Sequence, residues 1–447
     1  MRSIGSPLDG FASPFGLRSG GFSPASLFAG GQQGVLLESF DISTLFQDSA
    51  GATPVTAATN PIGRASDKSG RGNHATQATT ARRPAYQTGP ARMALDKVDD
   101  RLIVTVPVGG FTGTMVLATG VGTASYGVNI PAGAYDIGGR GGLYFPGNAI
   151  VGQLIRNGAL SAEESAATEA YFVANGATAS YDAVTSFTGF WGNWSELTSF
   201  PLIDTSAGTN FSLAWLGCTS LTSFPLIDTS VGTNFSGAWQ SCTSLTSFPL
   251  IDTSAGTSFS LTWLGCTSLT SFPLIDTSAG TNFSWAWRNC TSLTSFPLID
   301  TSAGTNFSLA WLDCTSLTSF PLIDTSAGTN FSNAWRNCTS LTSFPLIDTS
   351  AGTSFNGAWQ SCTSLTSFPA NAFDNISGGG FTDAFTNTAM TQTSIDNILV
   401  SLVASGIAAG TRVFGQSGGS APSAGTGQPA IDTLRSRGWT VTVTGGY

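Results

Sequence analysis

The sequence predicts a multidomain chain in which an extended N-terminal arm and a β domain lead into a solenoid of 24-residue α/β coils, closed by an α/β cap. Three observations carry this reading. From Phe187 to Phe368 nearly the same 24 residues recur without a break, and a period of roughly 20 to 50 residues is the mark of units that stack. Ahead of the repeats, residues 35–182 hold short β-prone runs separated by Gly-rich turns. Residues 1–34 show neither period and are dominated by Gly, Pro, Ser and Phe.

Taken in order, residues 1–34 read as an arm. The β domain contains runs such as Arg101-Leu-Ile-Val-Thr-Val and Thr114-Met-Val-Leu-Ala, and it ends in one helix, LSAEESAATEAYFVANG. Ser161 is placed to cap that helix, Glu163 and Glu164 complement its first turn, and Gly176 stops it. Residues 183–386 are the solenoid, roughly nine coils counting a first one with Trp194 in place of Cys and a decayed last one through Phe381, Ala384 and Phe385.

Within a coil, Phe307, Ala310, Trp311, Cys314 and Leu317 follow helical spacing, which predicts a short helix with Thr305 as its cap. An extended piece, Leu317 to Phe320, turns its Leu and Phe inward and is ended by Pro321; Asp324 and Gly328 mark the return turn. One coil buries about six apolar side chains, worth roughly 10–15 kcal/mol gross. Ordering its backbone costs roughly 1–2 kcal/mol per residue. A coil therefore folds only against its neighbours, and an identical neighbour is the easiest surface to match. The Cys row serves as compact apolar filler. Open ends need covers: the β domain at the front, and at the back residues 387–447. There Ile395, Ile398, Leu399 and Leu402 share a helical face, followed by an RVFG segment, a helix around Ala430 to Arg437 and the strand-like WTVTVTG.

Composition excludes several classes. Only 10% of the 447 residues are charged, Lys+Arg 17 against Asp+Glu 26 gives a net charge of -9, and Arg288 and Arg336 are the only cations in the repeats; a nucleic-acid partner is disfavoured. No apolar run is long enough to insert in a membrane, and the first thirty residues lack a secretory apolar core, so synthesis and first folding in a bacterial cytoplasm are expected. Seven cysteines at one repeat position are poor evidence for disulfides.

The coil pattern Leu-x-x-Phe-Pro, then Asp-Thr-Ser-x-x-Thr-Asn-Phe-x-x-Ala-Trp-x-x-Cys-x-x-Leu, resembles the BspA-like leucine-rich repeats of bacterial surface and phage proteins. That resemblance implies a right-handed leucine-rich-repeat solenoid used for adhesion or recognition. Residues 67–104, with Ser69-Gly-Arg-Gly-Asn-His-Ala75 as a turn, resemble the laminin-G/concanavalin-like jelly roll, which implies a β-sandwich for residues 35–182. Arm, module and repeats together are similar to phage tail-fibre or other virion-fibre proteins. The similarity implies a structural virion protein, on tail or head, that attaches to other virion proteins through residues 1–34. It would bind a host cell-surface glycan or protein as a homo-oligomer, a trimer being one candidate number. A bacterial surface adhesin and an envelope-polysaccharide depolymerase are the alternatives.

No catalytic constellation stands out. His74 is the sole histidine and sits in a Gly/Asn-rich turn. The Cys row forms a line, unlike the tetrahedron zinc requires, so neither a metal nor another cofactor is expected. The Asp column, Asp204 to Asp348 at every coil, reads as turn capping with calcium as the alternative. What varies between coils is confined to three columns, expected on an outer ridge. Contact residues follow from two of them: Leu213, Leu216, Leu261, Leu264, Trp285, Arg288, Leu309, Leu312, Asn333 and Arg336. Repeat drift, subunit packing and ligand contact are all compatible with that variation.

Overall fold

The computed structural model describes residues 23–447, apart from 31, 33, 39–40, 70–73, 79, 81–82, 88–91, 95–101, 107–110, 120–122, 131–132, 138–148, 158–159, 175–180, 182, 377, 408–409 and 411. Most of the arm and Gly176 lie outside these residues, as does much of the turn resembling the jelly-roll signature. The first half carries β1 (Gly34–Glu38), β2 (Leu45–Phe46), β3 (Arg64–Ala65), β4 (Ala75–Thr76), β5 (Ala85–Gln87), β6 (Arg92–Ala94), β7 (Leu102–Val106), β8 (Phe111–Thr119), β9 (Thr123–Ile130), β10 (Gly133–Ile137), β11 (Ala149–Asn157) and α1 (Ala162–Ala174). They form two antiparallel sheets. One contains β9, β8, β11, β6 and β5, with β1 also on β11; the other runs β10-β7-β4-β3-β2. Helix α1 packs against β8 and β9. Its start is a reciprocal capping box: Glu164 N donates to Ser161 Oγ at 3.1 Å and Ser161 N to Glu164 Oε2 at 2.8 Å.

From Phe187 onward the chain stacks coil on coil. Strand β12 (Leu197–Ser199), in the first coil, pairs antiparallel with β9, so the larger sheet continues into the stack, and Ser199 in turn bridges Ser223 of the next coil. A row of parallel bridges links Asn210 to Asn234, Ser258, Asn282, Asn306, Asn330 and Ser354 in succession. The whole is a multidomain-like chain, low in helix, with small sheets and a periodic aromatic and cysteine repeat compatible with a repeat solenoid.

Inside each coil the helix expected over residues such as 307–314 does not form. Its backbone N–H groups alternate between two tasks. Those of Phe307, Leu309, Trp311 and Asp313 donate to the next coil, at Asn330, Ser332, Ala334 and Arg336 O, over 2.8–2.9 Å. Those of Ala310, Leu312 and Cys314 close i to i+3 turns on Phe307, Leu309 and Trp311 O. The physical reason lies in the backbone: Leu309 (φ 59) and Asp313 (φ 63) are left-handed, as are their counterparts in the other coils, and a left-handed corner every fourth residue breaks any α-helical run. Such turns still point residues i, i+3, i+4 and i+7 the same way, which is why the spacing imitates a helix.

The interior is a set of columns. Each Phe, Ala or Thr, Trp, Cys and Leu of the pattern from Phe211 to Leu365 is fully buried. Trp215 stacks on Trp239 with ring centroids 5.0 Å apart and planes 8° from parallel, and Phe211 stacks on Phe235 at 5.5 Å and 3°. A second Phe column meets the indoles edge-on, Phe224 lying 4.7 Å from Trp215. Buried Thr hydroxyls are satisfied across coils, Thr229 Oγ1 donating to Asp252 O at 2.5 Å. The cysteines are free and buried, and each thiol donates to a Trp carbonyl of the preceding coil at 3.0–3.3 Å, as Cys314 does to Trp287.

The glycine of the return turn is required by close approach. Gly304 N donates to Thr301 O at 2.8 Å, and a Cβ at Gly304 would lie 2.5 Å from Phe307 Cζ and 2.9 Å from Thr301 O. Gly304→Ala is therefore expected to lower stability by about 1–3 kcal/mol, read as a reduced urea midpoint. Gly265→Asn should change it little: Gly265 is a left-handed corner (φ 74), and Asn289 already fills the equivalent place one coil on.

At the far end the stack becomes ordinary sheet. Phe355, Trp359 and Ser361 donate to Gly380, Ala384 and Thr386, making the decayed coil β13 (Phe381–Thr388). After α2 (Gln392–Ala404), β14 (Arg412–Gly418) pairs parallel with β13. After α3 (Gly427–Ser436), β15 (Trp439–Thr442) pairs parallel with β14. Helix α2 packs on α3. Its Ser394 and Ser401 hydroxyls accept from Phe368 N (3.1 Å) and Phe373 N (2.7 Å), so the helix supplies partners to backbone groups that the stack leaves open.

Candidate interaction surfaces

Two of the three variable columns occupy the left-handed corners. The first contains Leu213, Gly237, Leu261, Trp285, Leu309, Asn333 and Gly357, all with φ between 54° and 63°; the third contains Gly217, Ser241, Gly265, Asn289, Asp313, Asn337 and Ser361. Gly, Asn, Asp and Ser tolerate that conformation, whereas Leu and Trp do so at a cost of roughly 1–2 kcal/mol each. Bulky apolar residues held there are strained, and strain of this kind concentrates at functional positions.

The side chains also lean along the stack. A Cβ on Gly237 would meet Leu213 Cδ2 at 2.7 Å, and one on Gly357 would meet Asn333 Oδ1 at 2.4 Å. Large residues thus cover the glycine of the following coil, and the ridge is less open than the sequence suggests. Leu213 is 38% exposed and Arg336 is exposed, Leu312 is 6% exposed, and Leu216, Leu261, Leu264, Trp285, Arg288, Leu309 and Asn333 are half-buried. Arg288 places its guanidinium 4.4 Å over the Trp285 ring. Near the end of the ridge Asn333, Arg336, Gly357, Gln360 and Asp383 line a shallow polar hollow of about 380 Å³.

Leu213→Asn is expected to raise stability by about 0.5–1 kcal/mol by relieving a left-handed leucine, measured by chemical denaturation.

The most exposed apolar residues lie elsewhere and sequence reasoning passed over them. Leu202, Leu226, Leu250, Leu274, Leu298, Leu322 and Leu346 are 51–75% exposed, one per coil. In three of these coils the outward turn has a visible local cause. Ile227 N donates to Pro225 O at 3.0 Å, as Ile299 does to Pro297 and Ile347 to Pro345; this three-residue turn throws the central Leu out and the Ile in.

The remaining candidates are held by local hydrogen bonds. Asp204 Oδ1 accepts from Ser206 N at 3.0 Å and from its hydroxyl at 2.7 Å, bonds that hold its carboxyl below the usual range; Asp252 and Asp324 behave alike. His74 Nδ1 accepts from Asp67 N at 3.0 Å, and burial, with Arg64 adding to it, keeps the imidazole pKa below its usual value. Outside the stack, Lys68 binds Glu38 and Asp41, and the Tyr171 hydroxyl donates to Glu38 Oε1 at 2.9 Å, tying α1 to β1. Burial, then the Glu38 carboxylate, pushes the Tyr171 phenol up to about 12. Asp99 and Asp100, which the sequence offers as a carboxylate pair for the depolymerase alternative, lie outside the described residues.

Compared with models of known families and with curated proteins, the chain matches neither.

Proposed function

We propose that this protein is a phage virion fibre or receptor-binding structural protein. Its N-terminal residues 1–34 attach it to the particle. A laminin-G/concanavalin-like β-sandwich spaces it, and a leucine-rich-repeat solenoid carries a ridge that meets a host-surface glycan or protein. The observation that supports this most is the ridge: strained Leu and Trp at left-handed corners, a stacked Trp285/Arg288 pair and a polar hollow on an otherwise uniform rod. Several shallow contacts along a stiff rod add avidity without a deep pocket, and Trp and Arg are common anchors. Asn, Gln and Arg groups around the hollow suit the hydroxyls of a glycan.

The test is binding of the fluorescently labelled full chain to host cells. Trp285→Ala with Arg288→Ala, and separately Arg336→Ala, are expected to weaken binding about 10-fold or more while leaving the thermal transition in place. Unchanged binding by all of them, or release of new reducing ends from envelope glycans, would overturn the reading. Detection of the chain in purified particles separates a virion protein from a cell-surface adhesin.

A further inference from the structure

The column of exposed leucines has a property the ridge lacks: it is the same residue in all seven coils from Leu202 to Leu346. A varied surface suits an aperiodic partner. A surface that repeats itself at every rung suits a partner with the same period, and another copy of this chain has that period. We infer that the leucine column is the contact through which copies of this chain associate, side by side and in parallel.

Size is consistent with this. Seven coils span six rungs of roughly 4.8 Å, about 29 Å, and the seven residues that cross the face, bent at Pro225, span about 20 Å. The strip therefore offers on the order of 600 Å², at the lower end of the roughly 600–1,000 Å² per partner of stable interfaces. It is apolar along its centre, with the half-buried prolines beside each Leu, and polar at both margins.

Charge sets the direction. Each coil crosses the strip in the order Thr222, Ser223, Leu226, Asp228, so exposed hydroxyls flank the leucines on one side and a file of exposed carboxylates on the other. Two strips meeting antiparallel about a crosswise two-fold axis would set Asp against Asp along their whole length. Rotation about an axis parallel to the stack, two-fold or three-fold, brings each Asp file beside the partner's Thr and Ser. No Lys or Arg lies in this face to relieve the antiparallel arrangement. The inference concerns a different face from the host-binding ridge and stands whether or not that reading holds.

Sedimentation of the full chain at about 10 µM should show a dimer or trimer, and Leu274→Lys with Leu298→Lys should raise its dissociation constant about 100-fold or more. Circular dichroism on the same variant shows whether the fold is kept. Because the native thiols are buried, Leu202→Cys provides one accessible thiol at the end of the strip. Parallel copies bring Leu202 to Leu202, so this variant should form a disulfide-linked pair on mild oxidation; antiparallel copies bring Leu202 to Leu346, and only a mixture with Leu346→Cys would cross-link. A monomer at this concentration, an oligomer indifferent to the double Lys variant, or the antiparallel cross-link would each sink the inference.

Discussion

Removal of residues 290–313, one full period, should leave a chain that still unfolds cooperatively, while removal of residues 290–301, half a period, should abolish the native transition across the stack. The first deletion rejoins every column. Trp287 then faces Trp335 as it now faces Trp311, and the N–H rows that reach Asn306, Ser308 and Ala310 find Asn330, Ser332 and Ala334 instead. The stack loses one coil and one interface, and stability falls by that share. The half-period deletion brings Ser302 up to Asn289 and turns polar return-path residues toward the Trp and Phe columns. The columns of Cys290, Leu293, Phe296 and Ile299 each lose a member at that point, roughly 1.5–3 kcal/mol each, a total comparable with the net stability of most domains. Tryptophan emission and near-ultraviolet circular dichroism report the outcome. A half-period variant that kept both signals would mean the coils do not depend on one another for burial.

Much of this architecture was legible in the sequence because the period and the apolar positions are both set by burial. The inward Phe, Trp, Cys and Leu, the cap around Ile395 to Leu402, and the helix that opens at Ser161 all follow from patterning and capping chemistry. The coil's local conformation was misread since helix and four-residue turns share one inward pattern. A signal that separates them is present: the column from Gly217 to Ser361 contains only Gly, Ser, Asn and Asp, the residues that accept left-handed φ. The leucine column was missed for a related reason. Strand alternation places Leu226 on the face of Phe224, and only the three-residue turn at Pro225 reverses it; nothing in period-2 reasoning anticipates that turn.

Alkaline pH should unfold the protein steeply between about pH 9 and 12, and the seven buried thiols should set that slope. Burial raises each thiol above its usual 9.0, to about 12 for Cys266, Cys314 and Cys362; for Cys242, Cys290 and Cys338 neighbouring thiols add to the burial. Below about pH 9 folded and unfolded chains hold the same protons and the thiols impose no pH dependence. Above it the unfolded chain releases protons that the folded one retains, so unfolding is favoured by up to about 1.4 kcal/mol per pH unit for each thiol. The contribution is whole below the unfolded value and gone once pH has passed the folded one. Replacing Cys314 by Ala makes a small cavity and lowers stability at every pH. The informative quantity is the slope of unfolding free energy against pH, which should flatten by about 1.4 kcal/mol per unit per cysteine removed. The same thiols should resist a maleimide at pH 8 in the folded chain and react at once in denaturant. A slope indifferent to Cys314→Ala, or rapid labelling of the native chain, would place the thiols in contact with water and contradict the column packing on which the stack depends.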